Sequence, residues 1–250
     1  MNIDFTGQVG LVTGGTRGIG GQIARDLLNL GAEVVITGRS NESISQCEQS
    51  LDPALRDTAR FLCVDFSDRT STEAFLSEIR KLEKIDLCVN NAGINRINYI
   101  DETLVEDWDD IAAVNLTAPF LITREVSAIM KRNRYGRIIN IGSIFGHLSK
   151  EKRSIYSATK FGLKGLTVSV SNELARYNIL VNTVSPGFVL TDLTRSILSE
   201  QEMKELQEQI PAKRLAEPVD ISRTVLFLAS TLNTYITGQN IIVDGGFVNV

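Results

Sequence analysis

VGLVTGGTRGIG, residues 9 to 20, carries an apolar run straight into a glycine-rich turn and on into a helix-sized span. Gly14, Gly18 and Gly20 stand in a G-x-x-x-G-x-G spacing. Glycine allows positive φ in a tight turn and lets a phosphate come close to the backbone. The N-terminus of the helix that follows offers unpaired N–H groups and the positive end of its dipole to a pyrophosphate. Glycine-rich turns are common. The motif gains its force from its placement on strand, turn and helix at the head of an α/β alternation.

That alternation continues outward. Residues 9–13, 33–37, 60–64, 86–90, 136–143, 179–185 and 240–245 read as strands, short, rich in Val and Ile, and apolar on both faces. Strands of a covered parallel sheet have this character. Between them lie helix-sized spans. Residues 20–30 close at Gly31, a natural cap; residues 70–82 set Ala74, Phe75, Ile79 and Leu82 at helical spacing; residues 154–177 are rich in small side chains. Trp108, at the start of an amphipathic helix, reads as a packing residue, and Pro119 marks a helix irregularity near Asn115. No Pro/Gly-rich linker, low-complexity break or repeat divides the chain. The expectation is a single α/β domain over residues 1–250, a doubly wound seven-stranded parallel sheet with helices on both faces. Segments after strand C-termini flank the ligand crevice in such a sheet. The irregular span 187–218, with the polar stretch SEQEMKELQEQI inside it, is therefore expected to be a substrate lid, with a plain surface helix as the alternative.

Bulk composition narrows the partners. The 250 residues are 43% hydrophobic, enough for one large core. Lys and Arg number 26 against 30 Asp and Glu, a net charge of −4 with no long basic run, which argues against a nucleic-acid partner. The densest basic cluster, Lys131, Arg132, Arg134 and Arg137, reads as cations complementing a helix C-terminus. Cys47, Cys63 and Cys88 form no metal spacing and no even disulfide framework, and no metal is expected. Cys63 and Cys88 sit in apolar runs and are expected to be buried thiols. The N-terminus shows no signal-peptide order and no apolar run reaches membrane-spanning length. A reducing, cytoplasmic setting without a membrane partner is the expectation.

The second strand addresses which dinucleotide the glycine loop would hold. An NAD site usually carries Asp or Glu about 20 residues beyond the loop, on the ribose 2′-hydroxyl. Here Gly38 stands at that point, Arg39 follows, and Arg17 lies inside the loop. Two guanidiniums and no carboxylate suit a 2′-phosphate, so NADP (NADPH) is expected and NAD is the lesser alternative.

The motifs also form an ordered set: TGGTRGIG, NNAG (Asn90–Gly93), Asn115, Ser143, YSATK (Tyr156–Lys160), PGFVLT (Pro186–Thr191) and a terminal VDGG. Across essentially the whole chain this resembles the classical short-chain dehydrogenases/reductases, whose domain is a Rossmann fold. The resemblance implies a catalytic set of Asn115, Ser143, Tyr156 and Lys160. Tyr156 would be the acid/base and Lys160 its partner, also reaching the nicotinamide ribose. Ser143 would orient the substrate carbonyl, and Asn115 would kink its helix and hold a relay water. Cofactor contacts are implied for Gly14, Thr16, Arg17, Gly18, Ile19 and Gly20 in the loop, and for Arg39 and Asp65 at the adenine end. Asn91, Ala92 and Gly93 would follow on NNAG, and Pro186, Gly187, Val189 and Thr191 beyond the sixth strand. An unperturbed tyrosine has a pKa of about 10. A cation one helical turn away, with a positive oxidised nicotinamide, is expected to favour the phenolate.

Two branches of the family fit the substrate side. The 3-oxoacyl-acyl-carrier-protein reductases are NADPH-dependent ketoreductases that hold an acidic carrier with basic residues. Arg134 matches one such position, while the other is Tyr177 with Arg176 beside it. The gluconate 5-dehydrogenase-like sugar-acid and polyol dehydrogenases resemble NAGINR, where Arg96 would meet a substrate carboxylate. His147 is a second candidate substrate contact, with an ordinary loop histidine as the plainer reading. The charged loop GHLSKEKRS, residues 146–154, places Lys150, Glu151, Lys152 and Arg153 between Ser143 and Tyr156 and suits a polar or anionic substrate. The resemblance implies a homotetramer; a non-catalytic NADP-binding protein is the remaining alternative.

Overall fold

The structure, a computed structural model, describes residues 2–191, 194 and 199–250. Its strands are β1 (Val9–Val12), β2 (Glu33–Gly38), β3 (Ala59–Cys63), β4 (Leu87–Asn90), β5 (Gly136–Ile141), β6 (Ile179–Pro186) and β7 (Asn240–Val243). They form one parallel sheet in the order β3-β2-β1-β4-β5-β6-β7. The helices are α1 (Gly18–Asn29), α2 (Asn41–Ser50), α3 (Arg69–Arg80), α4 (Val105–Ala112), α5 (Ala118–Asn133), α6 (Ser154–Leu174), α7 (Glu200–Gln209) and α8 (Pro218–Ala229).

Successive strand residues feed opposite cores, as a period of two demands. Val12, Ile36, Val89 and Ile139 join the layer under α1 and α8; Leu11, Val35, Cys88 and Ile138 join the layer under α3 and α5. Both faces are thus covered, which is why these strands read as unbroken apolar runs. The order reverses between β1 and β4, so connections leave this point in opposite directions. That switch point opens a crevice beyond the strand C-termini.

Three local expectations are corrected here. Cys63 is exposed, because β3 is an edge strand; its Sγ donates to the Arg39 carbonyl at 3.6 Å. Cys47 on α2 is the additional buried thiol beside Cys88, and burial pushes Cys88 up to about 12. Arg137 is not a helix-end cation. It is 3% exposed on β5, stacked on Tyr135 at 4.5 Å, and donates to the Asn178 and Asn233 carbonyls. Trp108 on α4 is 50% exposed rather than packed. Around Pro119 the expected irregularity is a π-helical turn, Ala113–Thr117, joining α4 to α5.

The span read as a lid lies outside the described residues at 192–193 and 195–198. Its described part starts beside the sheet: Leu190 N donates to the Ala216 carbonyl and Ala216 N to Phe188 O. Helix α7 is capped by a reciprocal Ser199–Glu202 box and buries no residue, while Ile210 just beyond it is 2% exposed. A polar helix thus leads into one buried isoleucine at its end.

Candidate functional site

The turn after β1 needs its glycines for two separate reasons. Gly14 and Gly18 have φ of +60° and +58°, the left-handed region that side chains disfavour. Gly20 sits on α1 with ordinary φ, yet a Cβ there would collide with Asn91 Nδ2 and the Gly14 carbonyl. Asn91 uses that gap. Its amide donates to the Thr13 and Gly14 carbonyls at 2.9 and 3.1 Å, lashing the loop to the end of β4. Thr13 Oγ1 completes the joint by accepting from Asn91 N and Ala92 N. A Cβ at Gly18 would meet the Thr191 methyl at 3.6 Å, so loop and post-β6 segment face each other across the crevice. Beneath them Gly187 packs on Asp244, where a Cβ would come within 2.7 Å, and Val189 bridges to Ala216.

The far end of the crevice is set by β2 and β3. A side chain at Gly38 would press on Thr16 and Ile44 at 2.8 Å, so the place of an acidic ribose ligand is filled by packing. Arg39 Nε donates to Asp65 Oδ2 at 2.9 Å, and Asp65 Oδ1 accepts from the Ser67 hydroxyl and N–H. Burial pushes the Asp65 carboxyl up, but Ser67 and Arg39 outweigh it and hold it below the usual value. Arg17 is exposed on the loop.

The chemistry-bearing residues converge at the other end. Ser143 follows β5, 7% exposed, and its Oγ accepts from Phe145 N at 3.1 Å. Tyr156 and Lys160 lie one turn apart on α6, and Ser143 acts to lower the pKa of the Tyr156 phenol. Lys160 Nζ donates to the Ile141 carbonyl at 2.8 Å and lies 5.5 Å from the Tyr156 ring centroid. A Cβ at Gly93 would be 3.5 Å from Asn115 Oδ1 and 3.8 Å from Lys160 Nζ, which brings the NNAG strand end into the cluster. Asn115 occupies the π-helical turn. Its Oδ1 accepts from Ile94 N and its Nδ2 donates to Ile94 O, both at 2.9 Å.

The expected electrostatics are corrected. Burial raises the Tyr156 phenol above its ordinary pKa; Ser143 and the Arg153 charge oppose this and do not overcome it. The Lys160 Nζ is turned to the Ile141 carbonyl, 5.5 Å from the Tyr156 ring centroid. Burial lowers Lys160 itself to about 8.

Arg96 is also corrected. Its guanidinium is held by Asp107 and Asp110 on α4, so it is not an open fork for a substrate carboxylate. His147 is exposed on the loop after Ser143. Two features escaped the sequence reading. One is a buried polar ladder under α6. Asn90 Nδ2 donates to Asn140 Oδ1, Asn140 Nδ2 to Thr167 Oγ1, and the Thr167 and Thr183 hydroxyls meet, each at 2.8 Å. Its signal was present as amides and hydroxyls inside apolar strands. The other is Arg153, visible in sequence only as loop charge. Among the described residues no group of three or more His, Cys, Asp or Glu is placed to hold a metal ion, and no helix is long and apolar enough to cross a membrane.

A family model described as Enoyl-(Acyl carrier protein) reductase matches residues 14–248. The 3-oxoacyl-acyl-carrier-protein reductase FabG of Aquifex aeolicus (strain VF5) is 41% identical over 247 residues, covering 98% of this chain and 99% of that protein. FabG of Escherichia coli (strain K12) is 38% identical over 249 residues, 99% of this chain and 100% of its own. Among solved structures, a gluconate 5-dehydrogenase from Burkholderia cenocepacia J2315, in complex with NADP and tartrate, superposes with a TM-score of 0.89. It is 31% identical and covers 99% of this chain and 97% of its own.

Proposed function

The chain belongs to the short-chain dehydrogenase/reductase family of oxidoreductases, and from that premise we propose that it is an NADP(H)-dependent ketoreductase, interconverting a carbonyl and a secondary alcohol. The observation that carries the reading is the convergence at one crevice end of Ser143, buried just after β5, with Tyr156 and Lys160 one turn apart on α6, the Lys160 Nζ 5.5 Å from the Tyr156 ring.

The crevice fits a dinucleotide. The left-handed Gly14 and Gly18 and the N-terminus of α1 form a phosphate cradle that a Cβ would obstruct. When bound, the nicotinamide would supply or accept the hydride. The chain's own residues handle the oxygen. In reduction the Tyr156 hydroxyl gives its proton to the carbonyl oxygen as the alkoxide develops; in oxidation the phenolate takes it back from the alcohol. The Ser143 hydroxyl donates to the same oxygen and stabilises its growing charge. A phenol raised by burial is protonated at neutral pH, the state reduction needs. Lys160 is anchored on Ile141 O, and its role at the cofactor ribose is carried over by the resemblance. Asn115 holds the π-helical turn and the Ile94 backbone, and the relay-water role is carried over to it by the resemblance.

The preference for NADP(H) is supported by the crowding at Gly38 and by the guanidiniums of Arg17 and Arg39. Arg39→Asp is expected to shift the ratio of NADPH to NADH affinity towards NADH by about tenfold or more, read by cofactor fluorescence titration. Tighter NADH than NADPH binding by the unaltered protein would sink the assignment. A cytoplasmic setting belongs to the same proposal; Cys47, Cys63 and Cys88 are free thiols, compatible with a reducing compartment.

For the substrate, a 3-oxoacyl thioester is supported by the FabG relatives and by a basic patch. Lys131 and Arg176 both stack on Tyr177, at 5.3 and 5.0 Å, with Arg134 near the same helix end. A sugar-acid or other oxo-acid substrate is favoured by the cationic loop 147–153 at the mouth of the site. NADPH oxidation against acyl thioesters, oxo-sugar acids and simple ketones tests the proposal. Turnover of at least one class is expected, and none across the panel would refute it.

A further inference from the structure

Arg153 lies on the loop between Ser143 and Tyr156, at the threshold of α6. Its guanidinium rests over the Phe145 ring, 5.2 Å from the centroid. Phe145 meets Tyr156 edge-on at 6.4 Å and Phe188 at 6.4 Å. The Arg153 Nε is buried and has no hydrogen-bond partner. Burial pulls its pKa below the ordinary arginine value, and the Tyr156 phenol is the one group that opposes this. Arg39 is paired with Asp65, and Arg96 with Asp107 and Asp110; among the described residues Arg153 has no carboxylate. A cation drawn out of water without a counter-ion is unfavourable unless something completes it. The face of Phe145 does so only in part.

The Phe145 ring lies between the Arg153 guanidinium and Tyr156, so the guanidinium stands near the reacting end of the crevice. We propose that Arg153 is a carboxylate-binding residue. It takes the acid group of an oxo acid or hydroxy acid whose carbonyl or carbinol oxygen rests on Tyr156 and Ser143. This rests on the ketoreductase reading and gives its site a substrate class, an acid in preference to an uncharged acyl thioester. The planar fork matches a carboxylate through paired N–H donors. Lys150, 5.9 Å from the same Phe145 centroid, and Lys152, over Tyr99 at 4.2 Å, add positive potential at the entrance.

The test compares Arg153→Met, which keeps an apolar stem on Phe145, with Arg153→Lys, which keeps the charge. Steady-state kcat/KM is measured on an oxo acid, its methyl ester, and acetoacetyl-N-acetylcysteamine as a neutral thioester. Arg153→Met is expected to lower kcat/KM for the acid about 30-fold more than for the ester, mostly through KM, with Arg153→Lys recovering part. Equal losses on acid and ester would mean that Arg153 only supports Phe145 and would overturn the proposal. An unaltered enzyme that reduces the thioester but no oxo acid would overturn it too, while leaving the ketoreductase reading standing. Calorimetric titration with malonate gives a readout without turnover. Binding that weakens at least tenfold in Arg153→Met supports the subsite; equal binding, or none to the unaltered protein, removes it. If no carbonyl were reduced, the ketoreductase reading would fail and the malonate titration would still decide Arg153.

Discussion

Removing the single hydroxyl of Tyr156 is expected to separate cofactor binding from proton transfer. Tyr156→Phe keeps the ring against Phe145, so NADPH binding, followed by fluorescence, is expected to persist. Turnover should fall by at least about 10²–10⁴-fold, the usual contribution of a general acid. Near-normal turnover would remove Tyr156 from the mechanism. Lys160 makes a second prediction at this scale, through stability. Its folded pKa of about 8 lies below the ordinary lysine value of 10.5. Between those values the unfolded chain binds more protons, so stability rises with pH across that window; below about 8 the full penalty of burying the ammonium is present. From pH 7 to pH 9.5 the protein is expected to gain about 1–2 kcal/mol relative to Lys160→Met in urea unfolding. No difference between the two pH profiles would contradict the buried ammonium. The spacing of Tyr156 and Lys160 was legible because a four-residue step is one helical turn. The direction of Nζ was not, because it depends on the Ile141 carbonyl, which reaches the site from another strand. Arg153 and Arg137 were obscured for the same reason: sequence shows a charge, and only packing shows what surrounds it.

At the scale of elements, α6 owes its position to the buried ladder from Asn90 through Asn140 and Thr167 to Thr183. Thr167→Val keeps the shape and deletes the oxygen. Asn140 Nδ2 then loses its acceptor in a buried setting, which costs about 1–3 kcal/mol. A drop of that size in urea unfolding free energy is expected, and a change within about 0.3 kcal/mol would show that the ladder is dispensable. All seven strands were readable because a parallel sheet covered on both faces leaves unbroken apolar runs. Edge and centre were not distinguishable, so Cys63 on the edge strand β3 and Cys88 in the interior looked alike. The π-helical turn at Asn115 left a trace in Pro119 but no periodicity of its own.

At the scale of the whole molecule, α4, α5 and α6 present a band of uncovered apolar side chains. Val105 is 71% exposed, Trp108 50%, Phe120 48%, Phe161 45% and Val168 43%. We propose that a homotetramer, the assembly implied by the resemblance, covers this band. Sedimentation velocity is expected to show a tetramer at micromolar concentration, and Phe161→Lys with Val168→Lys is expected to lower the mass; a stable monomer of the unaltered chain would contradict this. The joint between Gly20 and Asn91 has a reach beyond its own neighbourhood. The glycine turn is tied to the end of β4 through Asn91 and Thr13, and that strand end runs into Gly93 beside Lys160. In the proposed mechanism, cofactor grip and proton transfer therefore share one continuous piece of backbone. A chimera that imported residues 9–20 from a relative would bring the turn without the lashing that shapes it. The smallest portable cassette runs from β1 to Gly93, so altered cofactor choice has to be transplanted as a half-domain rather than as a loop.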